Sequence, residues 1–410
     1  MSAASQPMAR FARMVVKCSP LMGLSCAGLP GILHAETKGG VAVSASTGFD
    51  SNPFLSSANN REVASFRLEV APSVSLSDEV SNLQVQARAE HIEYLGKFSS
   101  VQNLSTTVTG LYRVDARTQI SANFGISSGI SLTDFLDPPT LSALPDAPVF
   151  PNQVVNDITV LGRQTRRTSV FAGGGVTFQP SEYDQISLSS DVNLQRYRKN
   201  SGLFDYDFSS QSISYSRRIN DTLSLGTIFE TSTGDFKRTP FGDVRTLSPR
   251  LVVRARLSEQ LDLSATAGAS FTSVDTVQGN KDLTSFAGSS ALCYRDVRQN
   301  FCLNGQRQLL PTAIGDVRNQ TSIGTNYSIR LSSRDTFRSN VNYSTASAPI
   351  GGISGKFESV RIDGRLERRL KERSQMFVAA GYVDSSGGVF GSRSNYQAVV
   401  GITVRFGRQS

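Results

Sequence analysis

The stretch Tyr396–Phe406, YQAVVGITVRF, alternates strictly between two faces. Tyr396, Ala398, Val400, Ile402, Val404 and Phe406 fall on one, and Gln397, Val399, Gly401, Thr403 and Arg405 on the other. One face is apolar; the other is small or polar. Successive side chains of a strand point to opposite sides, so a period of two marks a strand with unlike surroundings on its two faces. The same two-faced strand recurs along nearly the whole chain, with almost no helical periodicity. A soluble sheet could place such a face over a core, but a chain made of little else is better explained as an all-β, antiparallel up-and-down β-barrel whose apolar face meets lipid.

Composition agrees with that reading. The chain has 410 residues, no Trp, 39% hydrophobic residues and a mean hydropathy of -0.19, and beyond its N-terminal segment it has no apolar run long enough for a spanning helix. A barrel strand needs only about ten residues, half of which can be polar. At the N-terminus, Arg10, Arg13 and Lys17 precede a mainly apolar, uncharged run from Cys18 to Leu33, and Ala35 offers a small residue before Glu36. This predicts a secretory signal peptide over 1–35 and one barrel domain over 36–410. Cys26 invites a lipoprotein reading, but Gly23 occupies the position where a lipobox carries Leu. The formal charge is +8, and losing Arg10, Arg13 and Lys17 with the signal peptide leaves +5. No basic cluster or aromatic RNA-binding motif accompanies this balance, which argues against nucleic acid as a partner.

From Gly40 onward about eighteen strands can be laid down, joined alternately by tight turns and longer polar loops. Asp78–Asn82, Asp115–Arg117, Ser181–Asp184, Asn220–Asp221 and Ser258–Gln260 read as tight turns. Pro72 interrupts the second strand and predicts a bulge there. The segment Thr133–Gln164 contains Pro138, Pro139, Pro145, Pro148 and Pro151, which exclude a regular sheet. A loop of that length is usually functional or disordered. We therefore expect it to constrict or gate the lumen, with Asp134, Asp137, Asp146 and Asp157 as its acidic residues. The even strand count predicts both termini and the tight turns on the periplasmic side, with the longer loops outside.

Cys293 and Cys302 flank a hairpin centred between Val297 and Arg298, so antiparallel pairing sets them opposite one another on the inward face. An exported protein meets an oxidising compartment, and a disulfide is expected. Inward arginines concentrate on two strands: Arg250, Arg254 and Arg256 on one, and Arg361, Arg365 and Arg369 alternating with Asp363 and Glu367 on the other. Opposite charges in a barrel can simply satisfy each other. The sharper expectation is a lining for anionic solutes, because the guanidinium fork suits carboxylates and phosphates. The chain has two histidines, of which His34 leaves with the signal peptide, and His91 has no nucleophile motif around it. Gly173–Gly175 lies between Phe171 and Val176 and reads as a strand with close backbone approach, not as a phosphate loop. No catalysis, cofactor or metal site is expected.

Two resemblances sharpen the expectation. Gly401, Val404 and Phe406 resemble the C-terminal insertion signal of bacterial outer-membrane barrels, although Val399 stands where a polar residue is usual. The first hairpin carries TGFDSNPF, Thr47 to Phe54, which together with the strand count resembles a poorly characterised group of outer-membrane β-barrels associated with exopolysaccharide or capsule production. The resemblance implies a Gram-negative outer-membrane location and a role in passing an anionic polysaccharide outward. It also implies lipid, lipopolysaccharide, the barrel assembly machinery and export components as partners. Within the motif, Phe49, Asp50, Ser51 and Asn52 are expected to shape the first turn through Asx hydrogen bonding. The expected function is a channel for polar, anionic solutes; the alternative is a non-conducting structural or adhesive barrel. Oligomeric state is not legible.

Overall fold

The computed structural model describes residues 36–55, 62–96, 98–130, 157–160, 165–199, 201–237, 241–276, 279–347, 355–387 and 391–407. The expected signal peptide and Asp134, Asp137 and Asp146 lie outside the described residues.

Eighteen strands form one sheet. The first six are β1 (Glu36–Asp50), β2 (Val63–Ser77), β3 (Ser81–Tyr94), β4 (Val101–Arg113), β5 (Thr118–Ile130) and β6 (Arg166–Phe178). The next six are β7 (Asp184–Tyr197), β8 (Tyr206–Arg218), β9 (Leu223–Phe236), β10 (Phe241–Arg256), β11 (Leu261–Thr276) and β12 (Gly279–Arg295). The last six are β13 (Gln299–Pro311), β14 (Val317–Arg330), β15 (Asp335–Ser347), β16 (Lys356–Lys371), β17 (Ser374–Gly387) and β18 (Arg393–Gly407). Each strand pairs with its neighbours in sequence, and β1 pairs antiparallel with β18 from Gly40↔Gly407 to Asp50↔Gln397. The sheet therefore closes on itself as an antiparallel up-and-down barrel, and no edge remains.

Closure leaves two ends of different character. At one end, the Gly40↔Gly407 end of the β1–β18 seam sits beside the tight turns; at the other lie most of the longer connections. The tight turns hold themselves. Asp78 Oδ1 accepts the N–H groups of Val80 (2.8 Å) and Ser81 (2.6 Å), and Asp115 Oδ1 those of Arg117 (2.6 Å) and Thr118 (2.7 Å). These bonds hold both carboxyls below the usual carboxylate range.

The alternation of Tyr396–Phe406 is realised in β18. Tyr396, Val400, Ile402 and Phe406 are exposed on the outside, while Asn395, Gln397, Val399 and Thr403 are buried on the inside. Phe66, Leu104, Phe124, Leu188, Phe229 and Leu251 continue the exposed apolar exterior around the wall. A continuous band of this kind is a lipid-facing surface. Strands overrun their apolar alternation at some ends: β12 begins at Gly279, because its polar Asn280–Asp282 stretch still pairs with β11. Pro72 produces no bulge. Val70↔Ala89 and Ser73↔Gln86 keep one register, so the proline costs ladder pairing without adding a residue. Register shifts occur instead in β10 between Phe241 and Val244, and in β16 between Arg369 and Lys371.

Candidate functional site: the lumen and its mouths

Inward positions of β2, β3, β15 and β16 carry a network of ion pairs. Arg67 reaches Glu90 at 3.1 Å, Arg88 reaches Glu69 at 2.9 Å and Glu90 at 3.6 Å, and Asn103 Nδ2 donates to Glu90 at 2.8 Å. On β16, Arg361 pairs with Asp363 at 3.3 Å and Arg365 with Glu367 at 2.8 Å. Arg365 also stacks on the ring of Phe377, 3.8 Å from its centroid. The expected inward face of β16 thus exists, but its two mid-lumen arginines are matched by carboxylates two residues away. On β10, Arg250 pairs with Glu230 of β9. Arg254, Arg256 and Arg369 lie lower, exposed near the tight-turn end. The two arginine-bearing strands do not converge on a single anion site.

Glycines on β6 give the lumen room. The side-chain oxygens of Asp191 and Asn123 occupy the space that a Cβ on Gly173 would take. Asn123, Asp191, Glu230, Arg250, Gln308 and Gln320 help line an open recess on this side of the lumen.

The long-loop mouth is occupied by chain. Thr312–Asp316, the connection between β13 and β14, turns into the barrel and is buried. Its anchor is Arg318, fully buried, whose Nε and Nη2 reach Asp316 carboxylate oxygens at 3.0 and 2.8 Å and whose Nη1 donates to Gly355 O at 2.8 Å. The guanidinium also lies 4.7 Å from the Phe357 ring centroid. Asp157 meets this loop from the other long connection: its Oδ2 accepts the Ala313 N–H at 2.6 Å, and its Oδ1 accepts the Thr159 N–H at 2.9 Å. The 3-10 turn Ile158–Val160 follows it, and Ile158 packs with Ile314, Ala346, Phe357 and Leu203. Burial pushes the Asp157 carboxyl above its ordinary value, against the lowering effect of its hydrogen bonds and of Arg167. A second apolar cluster, built on Phe54, Leu55, Ile92 and Tyr94, fills the same end near β1 to β4. The expected inward segment is therefore represented by Asp157–Val160. The Thr312–Arg318 anchor escapes sequence reading, its only signal being an Asp and an Arg two residues apart beside a turn.

Asp50, Ser51 and Asn52 bond across the seam to β18, and Asn52 O also accepts the Leu55 N–H at 3.0 Å. Asn395 Nδ2 donates to Asp50 Oδ1 at 3.3 Å, and Asn395 Oδ1 accepts from Ser51 Oγ at 3.2 Å and from the Asn52 N–H at 2.8 Å. The Tyr396 N–H donates to Ser51 Oγ at 2.8 Å. The motif clasps the first strand to the last, because β18 is the neighbour that closure brings within reach. Cys293 and Cys302 stand directly opposite on β12 and β13, with Cα atoms 4.1 Å apart, and are joined by a disulfide. His91 points outward, 3.5 Å from Glu93, away from the lumen.

No family model matches the sequence, and no curated protein is significantly similar to it. Solved structures similar in fold include OpdK of Pseudomonas aeruginosa with vanillate, at 12% identity over 90% of this chain and 99% of that one, TM-score 0.49. Pseudomonas aeruginosa OccK2 (OpdF) in complex with glucuronate is similar at 11% identity over 90% of this chain and 98% of that one, TM-score 0.46. OccAB2 of Acinetobacter baumannii is similar at 8% identity over 91% of this chain and 98% of that one, TM-score 0.47. At such scores and identities the function has to be read from the chain's own residues.

Proposed function

We propose that the chain is a Gram-negative outer-membrane channel for polar, anionic solutes, with the tight-turn end in the periplasm and the long-loop mouth outside. The observation that carries this is the closed barrel of 18 strands, apolar outside and polar inside. A barrel of this size can hold an aqueous interior, whereas one of about eight strands is filled by its own side chains. The inward-folded Thr312–Asp316 loop and Asp157–Val160 act as the constriction. The reading is non-enzymatic: the one histidine of residues 36–410 faces outward, and Asp363 and Glu367 are engaged with arginines. Lipid, lipopolysaccharide and the assembly machinery are its expected partners. Export of an anionic polysaccharide is a narrower form of the same reading, supported only by the resemblance of Thr47–Phe54.

The test is single-channel recording of the refolded protein in a planar bilayer, alongside a variant in which Thr312–Asp316 is replaced by Asn-Gly. A current that grows in the variant supports a pore constricted by this loop. Silence in both, from protein whose gel mobility shows a folded barrel, leaves the non-conducting structural reading.

A further inference from the structure

The strands running toward the tight-turn end finish in the same way. From β4 onward, the N–H at the foot of each bonds to a carbonyl of the adjoining turn: Arg113 to Val80 (2.7 Å), Gln179 to Arg117 (2.9 Å), Arg218 to Tyr183 (2.7 Å) and Arg256 to Thr222 (2.7 Å). The series continues with Arg295 to Gln260, Arg330 to Arg298, Arg369 to Arg334 and Arg405 to Arg373, all at 2.8 Å. One structural position is filled seven times by arginine and once by glutamine. A backbone N–H is indifferent to the side chain behind it, so the bond does not explain the choice.

Direction does. In six of these strands the next residue is apolar and points outward: Val114, Ile219, Leu257, Leu331, Leu370 and Phe406 are 44% to 58% exposed. Because faces alternate along a strand, the arginines lie on the lumen side at the level where the lipid-facing band ends. Phospholipid headgroups therefore meet the apolar neighbours, and the guanidinium groups surround the mouth. All seven are exposed. Asp262 stands near two of them, 3.9 Å from Arg256 and 4.0 Å from Arg295. Four acids at this end are engaged elsewhere: Asp78 and Asp115 hold turn N–H groups, while Asp184 and Asp335 lie 3.8 Å from the outward-facing Arg217 and Arg368. The mid-lumen arginines, in contrast, are matched by carboxylates.

We propose that Arg113, Arg218, Arg256, Arg295, Arg330, Arg369 and Arg405 form a basic ring at the tight-turn mouth that binds polyvalent anions, and that this ring sets the charge selectivity of the channel. The selectivity half rests on the channel reading; the binding half does not. Alternate strands are roughly 10 Å apart. That separation is comparable to the Debye length of about 8 Å at physiological ionic strength, so neighbouring ring charges act on the same incoming ion. An anion with several charges gains from more than one of them, and a monovalent anion gains little.

The sequence supplies its own matched control, because Arg217 and Arg368 precede ring residues Arg218 and Arg369 in the same strands but face outward. R218Q/R369Q and R217Q/R368Q remove the same charge at the same level from opposite faces. Tripolyphosphate binding to the refolded protein is measured by calorimetry, and the reversal potential across a salt gradient is measured in a planar bilayer. The expected result is that R218Q/R369Q weakens tripolyphosphate binding roughly threefold or more and moves the reversal potential toward zero, while R217Q/R368Q changes neither. Equal effects from the two variants, or none from either, overturn the ring, and a wild-type current then leaves the channel reading standing. A silent wild-type protein that loses tripolyphosphate binding only in R218Q/R369Q overturns the channel reading and keeps the anion site. Silence without binding overturns both.

Discussion

At the residue scale, Gly401 shows how a single position can be dictated by packing across strands. A Cβ there would stand 2.6 Å from the Phe377 ring, 2.6 Å from Ser46 Cβ and 2.8 Å from Ala45 O. Phe377 cannot yield freely, since Arg365 is stacked on it. Gly401→Ala should therefore destabilise the barrel by about 1–3 kcal/mol, read as a lower urea midpoint for loss of the heat-modifiable gel form. Close packing between β1, β17 and β18 is by itself a sufficient reason for glycine at this position. Asp157 offers a second test. Its carboxyl is raised by burial, so the docked state takes up a proton more readily than the undocked one. The stabilisation this provides is fully present below the ordinary carboxylate value of 3.8 and is lost as pH rises through the raised one. Docking should tighten, and current fall, on acidification. Asp157→Asn, which keeps an acceptor for the Ala313 N–H, should remove most of that pH dependence; a current whose acid response is unchanged in the variant would assign the response to other groups.

At the element scale, the inward loop depends on one buried pair. Replacing Arg318 by Ala strands the Asp316 carboxylate in a buried site, a loss of about 3–5 kcal/mol for this kind of pair. Because the cost falls on Thr312–Asp316 and not on the β-ladder, we expect the loop to leave the lumen while the barrel survives. Faster amide exchange at Ala313, with β13 and β14 still protected, would be the signature. Sequence reading stops short of this element for a physical reason. Strands announce themselves through local alternation, which is why β1 to β18 were legible almost turn for turn. The loop is held by Asp157, 156 residues away, and by Gly355 O, and no period in the sequence encodes such partners. The same limit applies to Thr47–Phe54, whose Asp and Asn suggest a self-contained Asx turn yet bond to Asn395. The arginine ring is a different case. Its signal, an arginine followed by an apolar residue just before a tight turn, stands in the sequence at Arg113-Val114, Arg218-Ile219, Arg256-Leu257, Arg330-Leu331 and Arg369-Leu370, but it becomes a ring only when the strands are aligned.

At the scale of the whole molecule, the decisive contact is the one between the first strand and the last. Hairpins pair residues close in sequence, whereas β1 must find β18 across the full length of the barrel, and such long-range pairing is the slow part of β folding. The clasp is placed where it can secure that step. Asn395 is buried and holds Asp50, Ser51 and Asn52 together at the far end of the seam, while Gly40↔Gly407 pairs at the other. Asn395→Ala leaves the Asp50 carboxylate and the Asn52 N–H without this partner, a cost of about 1–3 kcal/mol for each buried group left unsatisfied. We expect that cost to appear in closure more than in hairpin formation. In a refolding time course, strand signal by circular dichroism should develop at the normal rate, while the closed, heat-modifiable form accumulates several-fold more slowly. A matched Asn340→Ala change, in β15 away from the seam, should not separate the two signals. If Asn395→Ala slows both signals together, or neither, the clasp contributes ordinary stability and closure is governed by the β1–β18 ladder itself.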